Sequence, residues 1–236
     1  MESIESIYER SSELKKEKDS KKSRYNIYGQ TEIRRALERE NIDLDKVNAF
    51  CPTYKEKFVN VGSSHFAKDE EFDKYFAIDA KIDVQTLIGK FPTVEAYMHF
   101  LEYHTKPSLY YSNNMEEIRK MSIRSRGGVN NYWVLMSIPL IILLGSSEEA
   151  KKALLATGDK TFIAVNGRKS FGAKADSDLF TKYMSKRYLD KKLIRYCAIL
   201  EIFRNMLKNN EFNNENIDEF IESNMTKNTT LLDGIE

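Results

Sequence analysis

The sequence has few of the residues from which disulfide frameworks and metal sites are built. Its 236 residues include two cysteines, Cys51 and Cys197, which lie far apart, and three histidines without HxxxH or HExxH spacing. The cysteines therefore support neither a disulfide framework nor a zinc site. No metal and no cofactor are predicted. Because free cysteines are typical of reducing compartments, we expect a cytoplasmic protein.

Long apolar runs and an excess of one charge are also missing. The longest apolar run, Tyr132–Leu144, is shorter than the roughly 20 residues of a membrane span, and it contains Pro139. Residues 1–20 are charged throughout and show no signal peptide. The formal net charge of +1 provides no general attraction to nucleic acid or membranes. We expect neither partner, and we interpret the apolar run as a core helix, bent or restarted at Pro139.

Apolar residues recur with helical spacing along most of the chain. The predicted helices span residues 31–40, 93–103, 114–121, 132–156, 179–188 and 191–207. Within the fourth, Gly145 ends a first helix and Ser147 caps a second. Only residues 58–61 and 161–165 have a strand-like pattern. The sequence therefore predicts a mainly α fold, a multihelical single domain with one or two short β segments.

Composition divides the chain into three parts. Residues 1–50 are a charged, partly helical appendage, which would bind a partner or brace the domain. Residues 51–210 hold most of the helical periodicity and are predicted to form the domain. Residues 211–236 carry seven acids against Lys227 alone and are predicted to be an acidic C-terminal tail.

Two short phrases carry the functional prediction. The first, Pro92–Tyr97, begins a helix and places Glu95 in its first turn, where the helix dipole stabilises an anion. Alone, this is an ordinary position for a glutamate. The second phrase, Leu-Leu-Ala-Thr-Gly-Asp at Leu154–Asp159, ends a later helix at Gly158.

Together the two phrases resemble the NADAR (YbiA-like) family, whose pattern includes a Pro-Thr-x-Glu-His-Tyr helix start and a later Leu-Leu-Ala-Thr-Gly-Asp. The resemblance covers residues 58–190 and implies a YbiA-like helical domain at 51–210. It also implies action on ribose N-glycosidic bonds, in riboflavin-pathway intermediates or ADP-ribosylated bases. Cleaving such a bond builds positive charge at C1′, which a nearby carboxylate stabilises. Glu95 matches the family's catalytic glutamate.

The resemblance and the chemistry of individual residues supply the other candidates. Asn60 matches a ribose-contacting position, although an asparagine there can also hold a turn. Arg124 and Arg126 precede Gly127-Gly128, where they would hold phosphate or simply end a solvated helix. The predicted catalytic residues are Glu95, Asp159 and Asp176, and the predicted ligand-binding residues are Asn60, Tyr97, Arg124, Arg126, Phe171 and Gly172.

The chain departs from the family pattern at several positions. Ala96 stands in place of the family's histidine, Phe171 in place of its tryptophan, and Arg168 in place of an aspartate. Gly127-Gly128 falls near the position of the family's Asp-Trp pair. Asp176 or Asp178 would replace the missing acid.

Three functions stay open on the sequence. The first is a divergent N-glycosidase or ADP-ribosyl hydrolase that uses Glu95. The second is a catalytically degenerate relative that binds an ADP-ribose-like ligand or a protein partner. The third is an unrelated helical protein-interaction module. The predicted partner is accordingly a ribose-phosphate or ADP-ribose-like small molecule, with a protein partner as the alternative.

Overall fold

Helices dominate the structure, a computed structural model. It describes residues 25, 27, 58–62, 68–81, 84–86, 88–103, 110–111, 129–163 and 193–226. Of these, 62% are helical, which confirms the prediction of a mainly α fold. The predicted helices at 31–40, 114–121 and 179–188 lie outside the described residues.

The described part of the chain contains six helices and four short strands. The helices are α1 (Glu70–Phe76), α2 (Val94–Tyr103), α3 (Tyr132–Ser146), α4 (Glu148–Ala156), α5 (Leu193–Lys208) and α6 (Asn214–Asn224). The strands are β1 (Phe58–Asn60), β2 (Val84–Thr86), β3 (Gly89–Phe91) and β4 (Thr161–Ile163). β1 pairs in parallel with β4, and β2 pairs antiparallel with β3.

α3 is the central helix of the core, and apolar side chains cover nearly its whole surface. It runs without interruption through Pro139, so the chain is not restarted there. Proline has no amide hydrogen, which leaves the carbonyl of the residue four positions earlier, Leu135, without its usual helical donor. The hydroxyl of Tyr97 on α2 donates a hydrogen bond of 3.3 Å to that oxygen.

α4 begins directly after α3, as the sequence predicts. The Ser147 hydroxyl accepts a hydrogen bond of 3.1 Å from the amide of Ala150, and two glutamates lie in the first turn. Within the described ranges, no single helix has the length and apolarity to cross a membrane. α3 and α4 reach that length and composition only as a pair, bent by 109°.

Two helices lie in segments so rich in charged residues that the sequence pattern does not indicate their apolar faces. α1 lies within the charged stretch 68–81, yet Phe72 and Phe76, four residues apart, are completely buried. α6 lies within the predicted acidic tail, where Ile217, Phe220 and Ile221 join the core. Residues 214–224 are therefore an integral helix of the fold.

The predicted N-terminal appendage also reaches the core. Tyr25 and Ile27 are buried with the other core residues. The side-chain amide of Asn224, at the end of α6, accepts a hydrogen bond from the Ile27 amide at 2.7 Å. It also donates one to the Tyr25 carbonyl at 2.8 Å. Segments from the two ends of the sequence are thus joined by one side chain.

Candidate functional site

The site begins at the N-terminus of α2, where Glu95 lies in the first turn. The Thr93 hydroxyl accepts a hydrogen bond of 3.0 Å from the amide of Ala96, which is the arrangement of an N-cap. The Glu95 amide donates a 2.7 Å hydrogen bond to the carbonyl of Ile78. The backbone that carries Glu95 is therefore fixed from two sides.

One face of α2 is polar, whereas the residues between the members of that face are buried. Glu95, His99 and Glu102 are each partly exposed, while the residues between them are core residues. Their spacing of four and then three residues puts them on one side of the helix. We call this side the polar face of α2.

Glu95 and His99 form a pair on this face. Glu95 Oε1 lies 3.7 Å from His99 Nε2, and the two side chains are 14% and 21% exposed. A carboxylate stabilises nearby positive charge, and an imidazole transfers protons near neutral pH. The pair therefore combines two functions that a hydrolytic site needs. We refer to it as the Glu95–His99 pair.

His99 is a further functional candidate that the two sequence phrases do not indicate. Its spacing of four residues from Glu95 was the available signal, since such residues are neighbours on a helix. The family's histidine aligns instead with Ala96, whose side chain is completely buried. Glu95 thus has an imidazole neighbour one helical turn later than the family pattern implies.

Asn60 lies close to this part of the structure. The Ile78 amide donates a 3.1 Å hydrogen bond to the Val61 carbonyl, and the Ile78 carbonyl accepts the bond from Glu95 described above. Ile78 thereby connects the end of β1 to the start of α2. Asn60 itself is buried, and its Oδ1 accepts a 2.9 Å hydrogen bond from the Gly62 amide. This bond holds a turn, and contact with a ribose stays a prediction.

Tyr97 faces the opposite side of α2, towards the core. Its ring centre lies 5.0 Å from that of Phe91, and its hydroxyl donates a hydrogen bond to the Leu135 carbonyl. Tyr97 and Val94 also line a largely apolar cavity of about 210 Å³ beside α3. The lining of this cavity does not include Glu95, which lies on the polar face instead.

The Leu154–Asp159 phrase forms the C-terminal end of α4 and a turn. Gly158 has a φ of +58°, a left-handed conformation that favours glycine after a helix. The buried Thr157 hydroxyl donates a 2.7 Å hydrogen bond to the Leu154 carbonyl and accepts one of 3.0 Å from Arg204. The phrase thus has a structural role at a helix end.

Arg204 on α5 holds that end in place. Its side chain is only 2% exposed, and its Nη1 donates a 2.7 Å hydrogen bond to the Lys160 carbonyl. Its Nη2 lies 2.6 Å from both carboxylate oxygens of Glu201. The guanidinium also lies over the ring of Phe162, 4.5 Å from its centre. These contacts fasten the end of α4 and the start of β4 to α5.

Asp159 follows this turn at the protein surface. Its side chain is fully exposed and lies 2.6 Å from Lys208 Nζ on α5. The hydrogen bond from Lys208, together with its positive charge, lowers the pKa of the Asp159 carboxyl. Asp159 is therefore held as an anion beside α5, and a catalytic role for it stays a prediction.

The other candidates, Asp176, Arg124, Arg126, Phe171 and Gly172, lie outside the described residues. Within the described ranges, no cluster of three or more His, Cys, Asp or Glu side chains is arranged to hold a metal ion.

Comparison with known proteins finds no relative. No protein-family model, no curated protein and no solved structure matches this chain. The resemblance to the NADAR family therefore depends on the two sequence phrases alone.

Proposed function

We propose that this chain is a divergent NADAR (YbiA-like) protein that cleaves a ribose N-glycosidic bond with Glu95 as its catalytic carboxylate. The observation that supports this most directly is the position of Glu95. It lies in the first turn of a capped helix, 14% exposed and 3.7 Å from an imidazole nitrogen. We propose an ADP-ribosyl-base or nucleotide-like substrate, a YbiA-like fold and a cytoplasmic location.

The chemistry requires a stable anion beside the sugar. When the C1′–N bond breaks, its electron pair leaves with the nitrogen, and positive charge builds up at C1′. The N-terminal end of α2 favours the ionised form of Glu95. Partial burial strengthens the interaction of that carboxylate with the developing charge, because less water screens it.

The remaining candidates complete the proposed site. Arg124 and Arg126 would bind the phosphate groups, since guanidinium pairs with phosphate in a bidentate manner. Phe171 and Gly172 would lie where the family has its aromatic-Trp-Gly phrase. Asp176 would replace the family's missing acid.

A second candidate function is ligand binding without cleavage. It is favoured by Asp159, a predicted catalytic residue, whose side chain is fully exposed and bonded to Lys208. If Asp159 serves only in that ion pair, a degenerate relative would retain an ADP-ribose-like ligand or a protein partner while lacking part of the catalytic set.

The substitution Glu95→Gln tests the catalytic proposal, since it keeps the shape of the side chain and removes its charge. The purified protein is incubated with ADP-ribosylated nucleobases and ribosyl nucleotides, and the released base is quantified by chromatography. We expect the turnover of Glu95→Gln to fall by roughly 10²–10³-fold. Ligand affinity should change little. Equal turnover in wild type and variant would contradict a chemical role for Glu95.

Glu102→Gln is the matched control, because it removes the same charge from the same face about two turns further on. It should retain wild-type turnover. Thermal shift with ADP-ribose, NAD and ribose 5-phosphate separates the two candidate functions. A ligand at 100 times its dissociation constant stabilises the folded state by about 2.7 kcal/mol. A shift without turnover on any substrate would favour binding alone.

A further inference from the structure

We infer that Glu95 and His99 together hold the attacking water, and that His99 accepts its proton. This inference rests on the proposed function, because it concerns the same bond cleavage. It assigns a catalytic role to a histidine that the family pattern does not place at this position.

The distance within the pair suits a bridging water. A direct N–H···O hydrogen bond is about 2.7–3.2 Å long, and Glu95 Oε1 and His99 Nε2 are 3.7 Å apart. A water about 2.8 Å from each atom fits this separation and hydrogen-bonds to both, as waters commonly do between polar groups beyond direct reach. Both side chains are partly exposed, so solvent reaches the pair.

The distance between Glu95 Oε1 and His99 Nε2 also indicates on which side of the sugar His99 acts. An acid and a base that act on opposite sides of a glycosidic bond lie about 6.5–9.5 Å apart. Glu95 and His99 are far closer than that, and they project from one helix face at a spacing of four residues. His99 therefore acts on the same side as Glu95, which is the side from which water attacks.

Hydrolysis then follows at the bound water. The water oxygen bonds to C1′, and one water proton moves to His99 Nε2. The C1′–N bond breaks, its electron pair leaves with the nitrogen, and the released base takes up a proton from solvent. Glu95 remains an anion throughout, stabilising first the charge at C1′ and then the imidazolium. The imidazolium afterwards releases its proton to solvent, which returns the pair to its starting state.

The described residues on and next to α2 include several charged or titratable side chains. Glu95 and Glu102 flank it on α2. The strand packed against α2 carries Lys90, and Asp79 follows Ile78, the residue bonded to Glu95. α3 contributes Tyr132, whose hydroxyl lies 3.5 Å from the Met98 carbonyl. The Glu95 carboxylate lies 3.7 Å from Nε2 of the ring.

The test compares His99→Gln, His99→Ala and Glu102→Gln in the full chain. We expect His99→Gln to lower kcat by about 10²-fold or more, the usual contribution of a general base, with KM within about threefold of wild type. The decline of activity towards acid pH should move to lower pH in this variant, because the Glu95 carboxylate is then the group of the pair that remains to be protonated. Added imidazole should restore part of the activity of His99→Ala, while Glu102→Gln should resemble wild type.

The outcomes separate this inference from the proposed function. If Glu95→Gln abolishes turnover but His99→Gln keeps wild-type turnover and pH profile, the role of His99 is overturned and the proposed function stands. If the wild type cleaves no ribosyl substrate, the proposed function fails, and the inference fails with it. Circular dichroism and thermal unfolding of each variant show whether a loss of activity reflects a loss of folding.

Discussion

Pro139 and Tyr97 show how one residue compensates for another across the core. Pro139 lies inside α3 and leaves the Leu135 carbonyl without the amide donor that it would have in a regular helix. Tyr97 reaches across from α2 and donates its hydroxyl to that oxygen. Tyr97 was predicted to contact a ligand. Its hydroxyl bonds to the Leu135 carbonyl where α2 packs against α3, and contact with a ligand stays a prediction.

The substitution Tyr97→Phe tests this compensation. It leaves a buried carbonyl without the Tyr97 donor, so we expect a loss of about 1–2 kcal/mol in the free energy of unfolding. Urea denaturation followed by circular dichroism measures the loss.

A double-mutant cycle with Pro139→Ala supplies the control. Pro139→Ala provides an amide hydrogen that can bond to Leu135, so Tyr97→Phe should cost less in that background. An identical cost in both backgrounds would show that Tyr97 contributes only through the packing of its ring.

Among the elements, the most apolar helices were predicted closely from the sequence. The spacing predicts 93–103 and 191–207, and the structure has Val94–Tyr103 and Leu193–Lys208. α1 and α6 were missed because acidic and amide residues surround their few apolar positions. Two buried phenylalanines at a spacing of four were the signal in α1. Such short patterns are hard to distinguish from chance until the helix has a surface to pack against.

The sequence predicts the candidate site only where the position of a side chain depends on residues that are close to it in the sequence. The first-turn position of Glu95 follows from Pro92 and Thr93, and the spacing to His99 could also have been read from the sequence. The contact of Arg204 with the Lys160 carbonyl joins residues 44 positions apart. It depends on how α5 packs against α4, and no local pattern specifies that packing.

The packing of α5 against the C-terminal end of α4 can be tested by replacing Arg204. We expect Arg204→Met to lower the free energy of unfolding by about 2–3 kcal/mol, because a buried hydrogen-bond donor is removed and the partly buried Glu201, 26% exposed, loses its cation. The Lys160 carbonyl and the Thr157 hydroxyl also lose a donor. Chemical denaturation measures the change.

Lys208→Met is the matched control for Arg204→Met. It removes a cation from the same helix, but its partner Asp159 is fully exposed and its charge is screened by water. This variant should unfold close to wild type. If the two variants were equally destabilised, burial of the guanidinium would not explain the role of Arg204.

At the scale of the whole molecule, Asn224 connects the N-terminal segment to α6. Tyr25 and Ile27 come from a segment that the sequence marks as a charged appendage, and α6 comes from the predicted acidic tail. Both are buried in the same core as α3 and α5. The Asn224 side chain bonds to Ile27, Tyr25 and Phe220, which connects positions 197 and 199 residues apart as well as its own helix.

The substitution Asn224→Leu tests whether this connection holds the N-terminal segment. It preserves the approximate size of the side chain and removes the partners of the Ile27 amide and the Tyr25 carbonyl. We expect a loss of about 2 kcal/mol or more in the free energy of unfolding, since each buried polar group left unpaired costs about 1–3 kcal/mol. Hydrogen–deuterium exchange should also lose its protection at the Ile27 amide. Ser223→Ala removes a bond that is local to α6 and should leave Ile27 protected. If Asn224→Leu destabilised the fold while Ile27 stayed protected, the N-terminal segment would be held by its apolar side chains, and Asn224 would act only within α6.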